Sequence, residues 1–129
     1  QTEQELRVQL AACYRIFDHI GWSEMIFNHI TAKVPGPDHH FLINPYGLHY
    51  SEVKASNLVK VDIDGSIVED TDYAVNPAGI VIHTAIHKLT TFLYKAGSAI
   101  LSIGSISVTV VAGLLSPIAS GRLSSEEIT

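Results

Sequence analysis

The residues of this chain whose types could do chemistry are seven histidines, a handful of turn asparagines and glycines, and scattered carboxylates. His83 and His87 stand four apart, a spacing that on a helix sends both imidazoles from one face at metal-ligand separation. So many histidines make a chance pair common. The plain alternative is one buried imidazole bonded to a carbonyl and one exposed. Asn28 and Gly47 form a second pair, an amide side chain and a glycine that follows Pro45 in a tight turn. Together they can offer N–H groups to an anion, because glycine lets the backbone come close. An asparagine in a turn more often bonds its own backbone. His19 reads as a capping or surface residue and His39-His40 as a solvated loop, with His49 completing the set. Asp62, Asp64, Glu69, Asp70 and Asp72 form an acidic face around a turn, most simply solvated. Cys13 is the only cysteine, which excludes an internal disulfide and a cysteine-based zinc site.

These groups need elements to position them. From Glu3 to Ile20, Leu6, Leu10, Cys13, Ile16, Phe17 and Ile20 recur at three- and four-residue spacing, which predicts a helix with that stripe facing a sheet and Gly21 as its C-terminal cap. Ile26 to Val34, Phe41 to Ile43, Leu58 to Ile63 and Ser66 to Val68 read as short strands. Pro35-Gly36-Pro37-Asp38, Asn44-Pro45-Tyr46-Gly47 and the hairpin pair Asp64-Gly65 separate them. A second helix is expected from about Asn76 to Leu89, with Pro77 in its first turn. Tyr14 and Trp22 read as core or helix-end packing.

Ala96 to Gly121 carries no charged residue. Its length and hydropathy allow a membrane helix. Interspersed Ser and Gly, Pro117 and the lack of a basic anchor favour instead a buried strand-plus-helix unit. Over the whole chain of 129 residues, 47% apolar and 16% charged residues fit a single folded domain. The net charge of -5 gives no electrostatic reason to expect nucleic acid. Gln1 to Arg7 lacks the basic start and apolar centre of a secretory signal, so the expected location is a reducing cytoplasm.

Three motifs in order, Asn28-His29-Ile30-Thr31, Phe41-Leu42-Ile43-Asn44-Pro45-Tyr46-Gly47 and Asn76-Pro77-Ala78-Gly79 leading into His83, resemble the class II aldolase/adducin family. The resemblance runs from about Leu6 to His87. It implies an α/β fold, a three-layer α/β/α sandwich with a mixed, largely antiparallel sheet. Residues 1–129 would then form one domain, the N-terminal part of the usual one, diverged over 90–129. It also implies that Asn28 and Gly47 line a pocket for a substrate phosphate, as part of an anion cradle.

Sugar-phosphate aldolases of that family have Ser-Ser-Glu before the helix histidine. Here Pro77, Ala78 and Gly79 stand there, and none can hold or release a proton. The pattern is similar to the adducin-like branch. The family's zinc ligands, a His-x-His on the next strand and a histidine further downstream, come from elsewhere than His83 and His87. With Gly104 and Gly113-Leu114-Leu115 in register, the strand pair falls on Ser98 and Ile100, and no histidine follows His87. The sequence also stops before the region of the last ligand. On this comparison no catalytic residue and no zinc site is retained, and His83 and His87 are the only substitutes.

Two functional readings follow. The residues favour an adducin-like, non-catalytic domain with a vestigial pocket. The other is a zinc-dependent aldolase or epimerase acting on a sugar phosphate by retro-aldol chemistry, with the metal polarising the carbonyl. The expected partners are a small anionic or sugar-phosphate ligand, a protein, or further copies of the chain, with no nucleic acid and no membrane. An altered reading frame near Leu89 is a further explanation for the change in composition there.

Overall fold

Thr2 opens the first helix, α1 (Glu3–His19), through a reciprocal cap in which Glu5 N–H donates to Thr2 Oγ1 at 3.2 Å and Thr2 N–H donates to Glu5 Oε2 at 2.8 Å. The computed structural model describes residues 1–23, 25 and 27–95. The helix ends as the sequence predicts. Gly21 takes φ +75°, its N–H reaches Asp18 O at 3.0 Å, and Trp22 N–H reaches Phe17 O at 2.8 Å. The Trp22 ring meets Phe17 edge-on at 5.4 Å, the apolar contact that commonly seals this cap.

The buried face differs from the expected stripe: it consists of Leu6, Leu10, Ala11 and Tyr14, while Ile16 and Ile20 are 59% and 45% exposed. Ile16 lies about 200° round the helix from Tyr14, so three- and four-residue spacing alone misassigned it.

Three short strands follow, β1 (Ala32–Lys33), β2 (Phe41–Ile43) and β3 (Val59–Val61), antiparallel in the order β1-β2-β3. Ala32 pairs with Leu42, and Leu42 with Lys60. The sheet, expected to be mixed and largely antiparallel, is antiparallel throughout the described residues. The strand expected over 26–34 contracts to two residues because the groups before it bond elsewhere. Ile30 N–H donates to the Tyr14 hydroxyl at 2.9 Å and Asn28 Nδ2 to Trp22 O at 2.9 Å. Ser66 to Val68 forms only a bridge, Val61 to Ile67, with Val68 N–H on Lys60 O at 3.0 Å. The turn between is the expected one. Gly65 sits at φ +92° against Ile80, and a Cβ there would collide with that side chain.

Alternation splits the sheet into two faces. Ala32 and Leu42 join Leu6, Leu10, Tyr14, Tyr50 and Val53 under α1. Phe41, Ile43, Val59 and Val61 pack on the other side with Val75 and Ile80. Ile80 belongs to α2 (Pro77–Lys95), so the described residues form helix, sheet and helix in three layers. Asn76 caps α2, its Oδ1 accepting Ala78 N–H at 3.0 Å, and Pro77 takes the first position, where no N–H is needed. The helix continues past the expected end at Leu89, since no Gly or Pro interrupts it before Lys95. The expectations for Ser98, Ile100 and the rest of 96–129, including the buried unit and the altered frame, lie outside the described residues, as does Ile26. Among the described residues no helix is long and apolar enough to cross a membrane.

Candidate functional site

Asn28 to Lys33 alternates between the two faces. Ile30 and Ala32 turn to α1, whereas His29, Thr31 and Lys33 turn to α2. Thr31 is fully buried, and its Oγ1 lies 2.9 Å from His83 Nδ1 and 3.0 Å from His87 Nε2. The four-residue spacing on α2 does put both imidazoles on one face, and one hydroxyl bridges them. Both histidines are 2% exposed, which corrects the expectation that one would face solvent. The His87 ring stacks on Phe41 at 4.5 Å. His29 meets His83 edge-on at 6.0 Å and lies over Gly79, where an added Cβ would stand 3.1 Å from three ring atoms.

The bonding of this cluster follows from counting protons. A threonine hydroxyl donates once, and each neutral imidazole has one N–H. His87 Nδ1 has no partner. A buried bare lone pair is the less costly orphan, so the proton belongs on His87 Nε2, donating to Thr31. Thr31 then donates to His83 Nδ1. Burial, reinforced by the neighbouring His29 and His87, pushes His83 down to about 4. Burial, then the Lys33 charge, does the same to His87, also to about 4. Burial lowers His29 as well. At neutral pH the cluster is therefore uncharged.

A zinc ion requires three or four converging donors. His83 and His87 direct their inner nitrogens at the same hydroxyl. Among the described residues no group of three or more His, Cys, Asp or Glu is arranged to hold a metal. These residues do not fit a zinc site.

Asn28 is 4% exposed, with its amide nitrogen held by Trp22 O. Gly47 occupies an exposed turn at φ +90°, beside Tyr46, whose N–H reaches Ala74 O at 2.8 Å. Pro77, Ala78 and Gly79 form the first turn of α2 and bring no titrating group to it. His19 is exposed, while His39 and His40 are half-buried rather than fully solvated, with His39 at φ +59°. His49 caps a 3₁₀ turn over Tyr50–Glu52. The residues that sequence reasoning passed over are His29 and Thr31. Their signal was the two-residue period, which places both on one side of an extended segment.

Comparison with known proteins agrees with the fold. Residues 8–93 match the model of the Class II Aldolase and Adducin N-terminal domain. Alpha-adducin of Rattus norvegicus is 53% identical over 87 residues, 66% of this chain and 12% of that protein. An aldolase II superfamily protein from Pseudomonas syringae superposes with a TM-score of 0.68 at 54% identity, covering 70% of this chain and 37% of that one. The L-fuculose 1-phosphate aldolase of Glaciozyma antarctica PI12 gives a TM-score of 0.63 at 34% identity, over 67% of this chain and 36% of that one. The chain spans about a third of the length of the bacterial curated relatives it matches (34%).

Proposed function

The chain belongs to the class II aldolase/adducin family, and from that premise we propose that it is a binding domain of the adducin-like kind, inactive as an aldolase. One observation carries this reading. The first turn of α2, where the family resemblance places a glutamate acid/base, is Pro77-Ala78-Gly79, and the His29 ring lies against Gly79 in the space a side chain would need. Aldol cleavage needs a group there that takes and returns a proton. The nearby histidines do not make up for it: His83 Nδ1 and His87 Nε2 share Thr31, and the nitrogens left over, His87 Nδ1 and His29 Nε2, belong to no group of three or more metal donors among the described residues.

The ligand of the domain is then a small anion or sugar phosphate gripped at Asn28 and by the backbone around Gly47, or a protein laid over the same side. Self-association and a cytoplasmic setting complete the reading. The unpaired, half-buried Cys13 supports the latter. Incubating the 129-residue chain with zinc and a panel of sugar phosphates, and following release of aldehyde, tests the proposal. No turnover above buffer is expected. Zinc-dependent cleavage or epimerisation would establish the alternative, a working aldolase or epimerase.

A further inference from the structure

The C-terminal end of α1 and the turn after Gly47 bring together three groups that the domain's ligand chemistry leaves unused. Ser23 Oγ lies 3.5 Å from His49 Nε2, and Asp18 Oδ1 lies 3.6 Å from His49 Nδ1. Each is held by local structure. The Asp18 backbone carbonyl accepts Gly21 N–H in the helix cap, which also fixes Trp22 and directs the chain into Ser23. His49 is pinned by its own cap, its N–H donating to Glu52 Oε2 at 2.8 Å while its Nδ1 lies 2.9 Å from Ser51 Oγ. The His49 and Asp18 side chains remain 42% and 29% exposed, so a small molecule reaches them.

We propose that Ser23, His49 and Asp18 form a nucleophile, base and orienting group for acyl transfer from small activated carboxylic esters. With the proton on His49 Nδ1, that atom donates to Ser51 Oγ at 2.9 Å and faces the Asp18 carboxylate, at the cost of the long cap bond it accepts from Ser51 N–H at 3.4 Å. His49 Nε2 then presents its lone pair to Ser23. In the reaction Ser23 Oγ bonds to the ester carbonyl carbon as its proton passes to His49 Nε2. The carbon–oxygen bond to the alcohol breaks and the alcohol leaves with that proton. Water, deprotonated by the same nitrogen, then frees the acid and restores the hydroxyl. Nucleophile and base distances are commonly longer before substrate binds and tighten around it. A good leaving group asks least of an oxyanion donor, hence the activated ester.

This step uses neither zinc nor aldol chemistry, so it stands or falls separately from the reading above. The test is covalent labelling of the 129-residue chain with a fluorophosphonate, with the modified residue located by mass spectrometry. The expected result is one phosphonyl group on Ser23, absent in Ser23→Ala. His49→Ala should label at least about 100-fold more slowly, and free imidazole should restore part of the rate, which a purely structural role would not allow. Asp18→Asn should slow labelling about tenfold and Asp18→Glu should recover part of that loss, as a positioning residue requires. Labelling no faster than in the urea-unfolded chain, or a rate indifferent to His49, overturns the proposal.

Discussion

The two faces of the sheet bury polar groups in opposite ways. Beneath α1 the Tyr14 hydroxyl sits against Ile30 O, accepts Ile30 N–H at 2.9 Å and lies 2.9 Å from Asn44 Oδ1. At the edge of that face Arg7 ties Leu58 O at 2.7 Å, Glu69 at 2.6 Å and Glu3 at 2.9 Å. Beneath α2, Thr31, His83 and His87 form a bridge that ends in unpartnered nitrogens, His87 Nδ1 on one side and His29 Nε2 on the other. A fully satisfied buried network rigidifies a core, whereas a partly satisfied one costs stability wherever an atom is left over. Trp22 Nε1, beside Phe17 at the end of α1, is also without a partner, so the α1 side is the more nearly satisfied of the two and serves as the scaffold. The α2 face leaves more of its buried imidazole nitrogens without partners.

Acid should separate the two faces most strongly. The folded chain holds His83 and His87 neutral, at about 4 against a usual 6.5, so the unfolded chain takes up protons first as pH falls. The stability these groups preserve is whole above pH 6.5 and is lost progressively toward pH 4. The loss is on the order of 3 kcal/mol for each imidazole. Urea midpoints measured from pH 7.5 downward read it, and a midpoint independent of pH would break the comparison.

On the other face, Tyr14→Phe should cost about 3 kcal/mol at neutral pH, because Ile30 and Asn44 are left with buried, unsatisfied groups. Its acid sensitivity should be unchanged. Thr31→Val removes the bridge but keeps the shape, and a loss of about 2 kcal/mol is expected in the same titration. A variant as stable as the parent would mean that the histidines do not depend on that hydroxyl. The smallest effect, about 1 kcal/mol, belongs to Gly79→Ala, since its Cβ displaces the His29 ring by a few tenths of an ångström. The imidazole proton resonances of His29 should shift with it, and unmoved resonances would remove His29 from the cluster.

Much of the scaffold could be read from residue order. Gly21, the Asp64-Gly65 turn and the Asn76-Pro77 helix start all act through neighbours in sequence, and each stands where local chemistry puts it. Long-range competition accounts for what could not be read. The segment before Ala32 looked like a strand by composition, but Tyr14 captures the Ile30 amide and Trp22 the Asn28 side chain. Ile16 and Ile20 looked like core because their spacing suits a helix, yet the sheet lies on the Leu6, Leu10 and Tyr14 side. The spacing of His83 and His87 showed that they share a face. It could not show that Thr31, 52 residues from His83 in sequence, stands between them.

The central claim is that the histidines of the α2 face, two of them bridged by one hydroxyl, do not converge on a metal even though His87 Nδ1 and His29 Nε2 are unpartnered. Elemental analysis of the 129-residue chain, loaded with excess zinc at neutral pH and then dialysed, tests it most directly. The account predicts far less than one zinc per chain, unchanged in His83→Gln and His87→Gln. Stoichiometric zinc that survives dialysis and disappears in either variant would contradict it.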